Sequence, residues 1–162
     1  MSLLHLCRWL QDNSFIAAIN GTAWTAAGLE IIHYFSMFIL VGSMVIVDLR
    51  VLGLVGRRQD ATQLADRLFP WMWAALALNF LSGFFMFAGS ATSYYGNSVF
   101  YDKVIIVLAA IVANIIVQQQ VPKWNQSPAM PAWGKLIAVV SIGLWVGAII
   151  AGVEVPALTG IG

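Results

Sequence analysis

The chain has 162 residues, 60% hydrophobic and only 9% charged, with a mean hydropathy of +0.85 and a formal net charge of +1. A soluble domain carries about 25% charged residues, so this composition excludes an ordinary water-soluble fold and points to lipid as the solvent. The near-neutral charge offers no basic field for nucleic acid, and the single cysteine, Cys7, excludes an internal disulfide and a cysteine-clustered metal or iron–sulfur site.

The opening segment, Ser2 to Asn13, places Leu3, Leu6, Cys7 and Leu10 on one helical stripe, with Arg8, Gln11 and Asp12 off it. That pattern predicts a short amphipathic helix on the membrane interface, within an interfacial stretch of residues 2–20. Arg8, Gln11, Asp12 and Asn13 interrupt the run where a signal peptide would carry its apolar core.

Four apolar stretches follow, at about 24–55, 69–91, 99–121 and 133–155. Each meets or exceeds the roughly 20 residues that span a hydrocarbon core. Backbone groups in lipid must bond within their own segment, so each stretch is expected to be a helix. The expected fold is therefore all-α: a single-domain, integral membrane four-helix bundle with a short N-terminal interfacial amphipathic helix.

Helix 1 carries Glu30, His33, Met37, Leu40, Met44 and Asp48 at spacings of three and four, one stripe that should face the bundle interior. The next connector holds Arg57, Arg58, Asp60, Asp66 and Arg67, and Asp48 is expected to pair with Arg50 or Arg67 at that end. Asn79 in helix 2 and Asn114 in helix 3 can bond between helices, and Gly143 and Gly147 give helix 4 a close-packing GxxxG spacing. Arg50, Arg57, Arg58, Arg67, Lys123 and Lys135 flank the first and third connectors, against Arg8 and Lys103 on the opposite side. The positive-inside rule then puts those connectors in the cytoplasm of a bacterial inner membrane and both termini in the periplasm.

With that orientation Glu30, His33, Asp102, Lys103 and Glu154, from three helices, should gather near the outer leaflet. Ionisable groups inside spans are costly unless paired, hydrated or turned to the interior, which makes them the functional candidates. His33 is the sharpest: a histidine on an interior helical face suits an axial ligand of haem b. The alternative is a histidine bonded to Glu30 or to a neighbouring helix with no cofactor. The second ligand would be His5, a methionine or Lys103, or the iron would be five-coordinate. Lys103 can pair with a neighbouring carboxylate, bind a haem propionate, or snorkel to the interface.

Taken in order, Glu30-Ile-Ile-His33, Val41-Gly42-Ser43, Asp48-Leu49-Arg50-Val51-Leu52-Gly53, Pro70-Trp71-Met72-Trp73, Ser82-Gly83-Phe84-Phe85-Met86-Phe87 and Phe100-Tyr101-Asp102-Lys103 resemble a family of small bacterial four-helix membrane proteins of unknown function. The resemblance runs from about Trp24 to Asn114. More remotely, a helix-1 histidine and a lysine opening helix 3 look like the HemJ-type protoporphyrinogen oxidases and the CopD-like copper-resistance membrane domains. That resemblance implies a haem-competent bundle with His33 and Lys103 in the essential positions. This chain lacks the further histidines of those families, so their enzymatic activity does not carry over.

The expected function is haem b-binding in membrane electron transfer, as a redox subunit rather than a stand-alone enzyme. His33 would be the axial ligand; Lys103 and Arg8 would meet propionates or a quinone; Met37 and Met44 would line the cofactor wall beside Glu30. The expected partners are the lipid bilayer, other membrane subunits or further copies of the chain, and a quinone or a periplasmic redox protein. Two other functions fit the composition: a non-catalytic subunit of a larger membrane complex, and a small ion-coupled transporter using Glu30, His33 and Glu154.

Overall fold

A computed structural model describes residues 2–56, 60–127 and 129–159, with side chains placed as far as Gly152. The described residues form helices α1 (Leu3–Gln11), α2 (Ser14–Asn20), α3 (Ala23–Val51), α4 (Ala61–Gly89), α5 (Ala91–Tyr94), α6 (Ser98–Asn125) and α7 (Ala132–Thr159), with no strand among them. Four of these, α3, α4, α6 and α7, are long and apolar enough to cross a membrane.

Local chemistry sets the ends. Ser2, Asn13, Thr22, Asp60 and Asn97 each stand just before a helix, and each side chain accepts a bond from a first-turn N–H. Helix α3 stops at Val51, four residues before its expected end. There Gly53 takes φ +75°, its N–H donates to the Arg50 carbonyl at 3.0 Å, and the Leu54 N–H donates to the Leu49 carbonyl at 2.9 Å. This is a Schellman stop, which favours glycine at the left-handed position. Helix α4 starts eight residues earlier than hydropathy suggests, because Asp60 caps it and Ala61 and Ala65 are already buried.

Helices α3 and α4 form one hairpin and α6 and α7 a second; α3 also packs on α7 and α4 on α6, so neighbours run antiparallel around the bundle. One end, here the loop end, carries the 52–60 and 126–131 connectors. The other, the terminal end, carries α1, α2 and α5. The packed core lies in the loop-end half, from Leu40 to Val51 of α3, Ala61 to Ala75 of α4, Ala110 to Trp124 of α6 and Ala138 to Ala148 of α7. Toward the terminal end, no α3 residue before Ser36 and no α6 residue before Ala110 is buried. Burial is thus denser at the loop end than at the terminal end, where it falls on Cys7, Ile16, Ser82, Ala88, Ala91 and Ala151.

The expected interfacial helix is two helices, α1 and α2, broken where Asn13 caps the second. They are pinned to the terminal end. Asn20 donates to the Phe85 carbonyl at 3.1 Å, and Gln11 accepts from the Thr92 N–H at 3.1 Å and its hydroxyl at 2.7 Å. A Cβ on Gly89 would sit 2.6 Å from Asn20 Cγ, so α2 needs a glycine there to approach. Trp24, Phe80 and Trp71 on the bundle exterior are 89%, 76% and 67% exposed, a surface suited to lipid and not to water.

Candidate functional site

The site forms where the core stops, between α3 and α4. His33 is half-buried on α3, and its Nδ1 lies 3.1 Å from the Asn79 carbonyl and 3.1 Å from Ser82 Oγ, both on α4. Ser82 commits its one hydroxyl proton to the Leu78 carbonyl at 2.8 Å, so its oxygen accepts. The ring proton therefore sits on Nδ1 and donates to α4, which leaves the Nε2 lone pair free of any hydrogen bond among the described residues.

The backbone around the ring is tied as firmly. Asn79 Nδ2 donates to the His33 carbonyl at 2.8 Å and reaches Ser36 Oγ at 3.3 Å, while Ser36 itself donates to the His33 carbonyl at 2.9 Å. Interhelical bonds of this kind average about 0.6 kcal/mol each in membranes, so several together fix a register more than they supply stability. Gly83 completes the seat: a Cβ there would lie 3.0 Å from His33 Cε1, so the imidazole rests directly on the α4 backbone. Asn79, Ser82 and Gly83 are the residues sequence reading did not join to His33. Their spacing along α4, one turn facing one direction, was the available signal.

Lys103 of α6 is half-buried in the same terminal-end half of the bundle as His33. Its Nζ would be 3.8 Å from a Cβ on Gly152, so the amine lies along α7. The other expected members do not join them. Glu30 is exposed, although it continues the stripe of His33, because the neighbouring helices do not close around α3 at that height. Asp102 is exposed, and the Glu154 side chain lies outside the described residues. Arg8 and His5 are exposed on α1. Met37 is half-buried one turn along α3 from His33, whereas Met44 has no exposed surface inside the packed core.

A family model matches residues 8–156 of the chain. The chain belongs to DUF6644, a family of unknown function. No curated protein and no solved structure matches it. The match to DUF6644 takes in all four spans, and so His33, Asn79, Ser82, Gly83 and Lys103.

Elsewhere the described chain holds two further polar features. In the core, Trp145 Nε1 donates to Asn114 Oδ1 at 3.0 Å and Asn114 Nδ2 lies 3.5 Å from Met72 S, tying α7, α6 and α4 together. Asp48 does not form the expected pair: neither of its oxygens has a hydrogen-bond partner among the described residues, and Arg67 is exposed. Arg50 follows Asp48 by two residues, which turns the two side chains to different faces of α3. Of the GxxxG pair, Gly147 packs near Ile106 of α6 while Gly143 has nothing within 4 Å. No group of three or more histidine, cysteine or carboxylate side chains able to hold a metal ion occurs among the described residues. An apolar cavity of about 190 Å³, lined by Leu6, Cys7, Leu10, Phe87 and Phe100 among others, lies under α1.

Proposed function

We propose that the chain is a haem b-binding membrane protein of electron transfer, with His33 Nε2 as the axial donor. One observation carries this reading: α4 takes the Nδ1 proton, which fixes the tautomer and points a free Nε2 lone pair away from its anchor. Ligating histidines are oriented in this way, by donating their other ring N–H to a carbonyl. The residues that would hold such a group are one histidine donor and one half-buried amine, His33 and Lys103, on two facing spans. His5 is exposed on α1 and Met44 is enclosed in the core, so neither serves as second ligand in this arrangement.

Bound there, haem would supply a one-electron carrier. The chain's own residues do the rest. Asn79 and Ser82 hold the ring, Gly83 lets it lie close, and Lys103 offers a cation to a propionate. Arg8 on α1 is a further cation at the same end. The apolar cavity under α1 is the place this reading gives to an isoprenoid quinone. The open face around Gly143 of α7 is its seat for another membrane subunit. The loop end, with its excess of arginine and lysine, faces the cytoplasm across a bacterial inner membrane, and both termini are periplasmic. The remote similarity to HemJ-type and CopD-like domains bears on His33 and Lys103 alone.

The test is an absorption spectrum of the purified protein, oxidised and dithionite-reduced, after expression with haem supply. A Soret band that is lost in His33→Ala is expected. No Soret band, or an unchanged one in His33→Ala, overturns the reading.

A further inference from the structure

In the loop-end half of the bundle, Asp48 of α3 has no exposed surface and, among the described residues, no hydrogen-bond partner on either carboxyl oxygen. Ser141 of α7 also has no exposed surface, and its Oγ has no partner among them. The serine stands near the carboxyl where α7 packs on α3, and no hydrogen bond joins the two. Two unsatisfied polar side chains from two helices thus meet inside an apolar core, a place where polar groups are normally paired.

An ionised carboxylate buried in this way needs a facing cation or several donors. Among the described residues the surroundings supply neither. On α4, Asp66 and Arg67 are exposed; on α6, Lys123 is exposed; on α7, Lys135 is exposed. On α3 itself, Arg50 is half-buried on a different face, and His33 lies 15 residues away, about 22 Å along the helix. A hard metal cation is also poorly served. Such ions take about six oxygens, and the site offers the two carboxyl oxygens and one hydroxyl. The positive charge that fits is the smallest one.

We propose that Asp48 and Ser141 form a proton-binding site, in which Asp48 is a neutral carboxylic acid beside the Ser141 hydroxyl and exchanges its proton with water at the loop end. The O–H bond of Asp48 breaks, the proton passes to water, and the Ser141 hydroxyl turns to donate to the carboxylate left behind. The path is short. Asp48 precedes the C-cap Leu52 by four residues, about 6 Å of helix. The site stands apart from His33 and does not depend on a haem there.

The experiment is infrared spectroscopy of the full chain in lipid vesicles, with aspartate isotopically labelled so that glutamate does not contribute. Asp12, Asp60, Asp66 and Asp102 are the other labelled positions, so the protonated-carboxyl band in the label-shifted position that Asp48→Asn removes is the one that reports Asp48. The expected result is such a band at pH 7, lost in Asp48→Asn and displaced in Ser141→Ala. Absence of the band, or its persistence in Asp48→Asn, overturns the site. Should Asp48→Asn fail to fold, Ser141→Ala decides: an unmoved band removes the pairing. A parallel melt in sodium, potassium and choline chloride should give one Tm. A sodium-dependent rise that disappears in Ser141→Ala would make the occupant an alkali ion and overturn the proton assignment.

Discussion

A histidine in an apolar helix is defined by what its two ring nitrogens do. Here one is spent on α4 and the other has no hydrogen bond among the described residues, and the seat that allows this is a glycine. Replacing Gly83 with leucine puts side-chain atoms where the ring already lies, 3.0 Å from the Cβ position, and the ring cannot slide freely because Nδ1 is anchored. Overpacking of this kind costs about 1–3 kcal/mol. Gly83→Leu should therefore lower the Tm in detergent. Gly28→Ala and Gly42→Ala, where a Cβ meets nothing within 4 Å, should leave it unchanged or slightly raised. Equal melting of all three would show that the imidazole is not seated on α4. The same residue-scale logic separates Glu30 from Asp48. Both lie on one stripe of α3, yet the first is exposed and the second enclosed, because burial depends on which partner helices reach that height.

At the scale of elements, one exposed residue ties two helix ends together. Asp60 Oδ1 accepts from the Thr62 and Gln63 N–H groups at 2.8 and 3.1 Å, and Oδ2 accepts from Asn125 Nδ2 at 2.6 Å. These bonds, the Gln63 N–H first and Asn125 next, hold the carboxyl below its usual range. A depressed carboxyl stabilises the fold above its unfolded value, about 4, and the contribution disappears as pH falls through the lower folded value. Asp60→Ala should therefore lower the Tm at pH 7, and the difference from wild type should close as the pH drops below about 4. A gap that persists in acid would mean that the aspartate acts through something other than its charge. The four spans themselves were legible in the sequence, because length and apolarity decide helix in lipid. The ends were less so. Hydropathy hid the first eight residues of α4, though the Asp60 cap signalled them, and it overran the Gly53 stop of α3. For the site, His33 and its helical face could be read directly. Its partners Asn79, Ser82 and Gly83 share one face of α4, but that this face meets His33 depends on the register of α4 against α3, which is set by the connector and by side-chain packing.

For the whole molecule, the asymmetry between a densely buried loop end and a less buried terminal end makes orientation the property that matters. The loop end carries Arg50, Arg57, Arg58, Arg67, Lys123 and Lys135, of which Arg57 and Arg58 lie outside the described residues; the terminal end carries Arg8 and Lys103. Lysine and arginine near short loops retain those loops in the cytoplasm. With Cys7 replaced by serine, single cysteines at Val55 and Gln126, both exposed at the loop end, should resist a membrane-impermeant maleimide in intact bacterial spheroplasts and react after lysis. Cysteines at Ser93 and Gly96, both exposed at the terminal end, should react in the intact preparation. Labelling of Gln126→Cys from outside would invert the molecule. His33 and Lys103 would then lie in the cytoplasmic leaflet, out of reach of a periplasmic redox partner, and the short path from Asp48 would open outward. The maleimide experiment thus decides, for both sites together, which aqueous phase each one can exchange with.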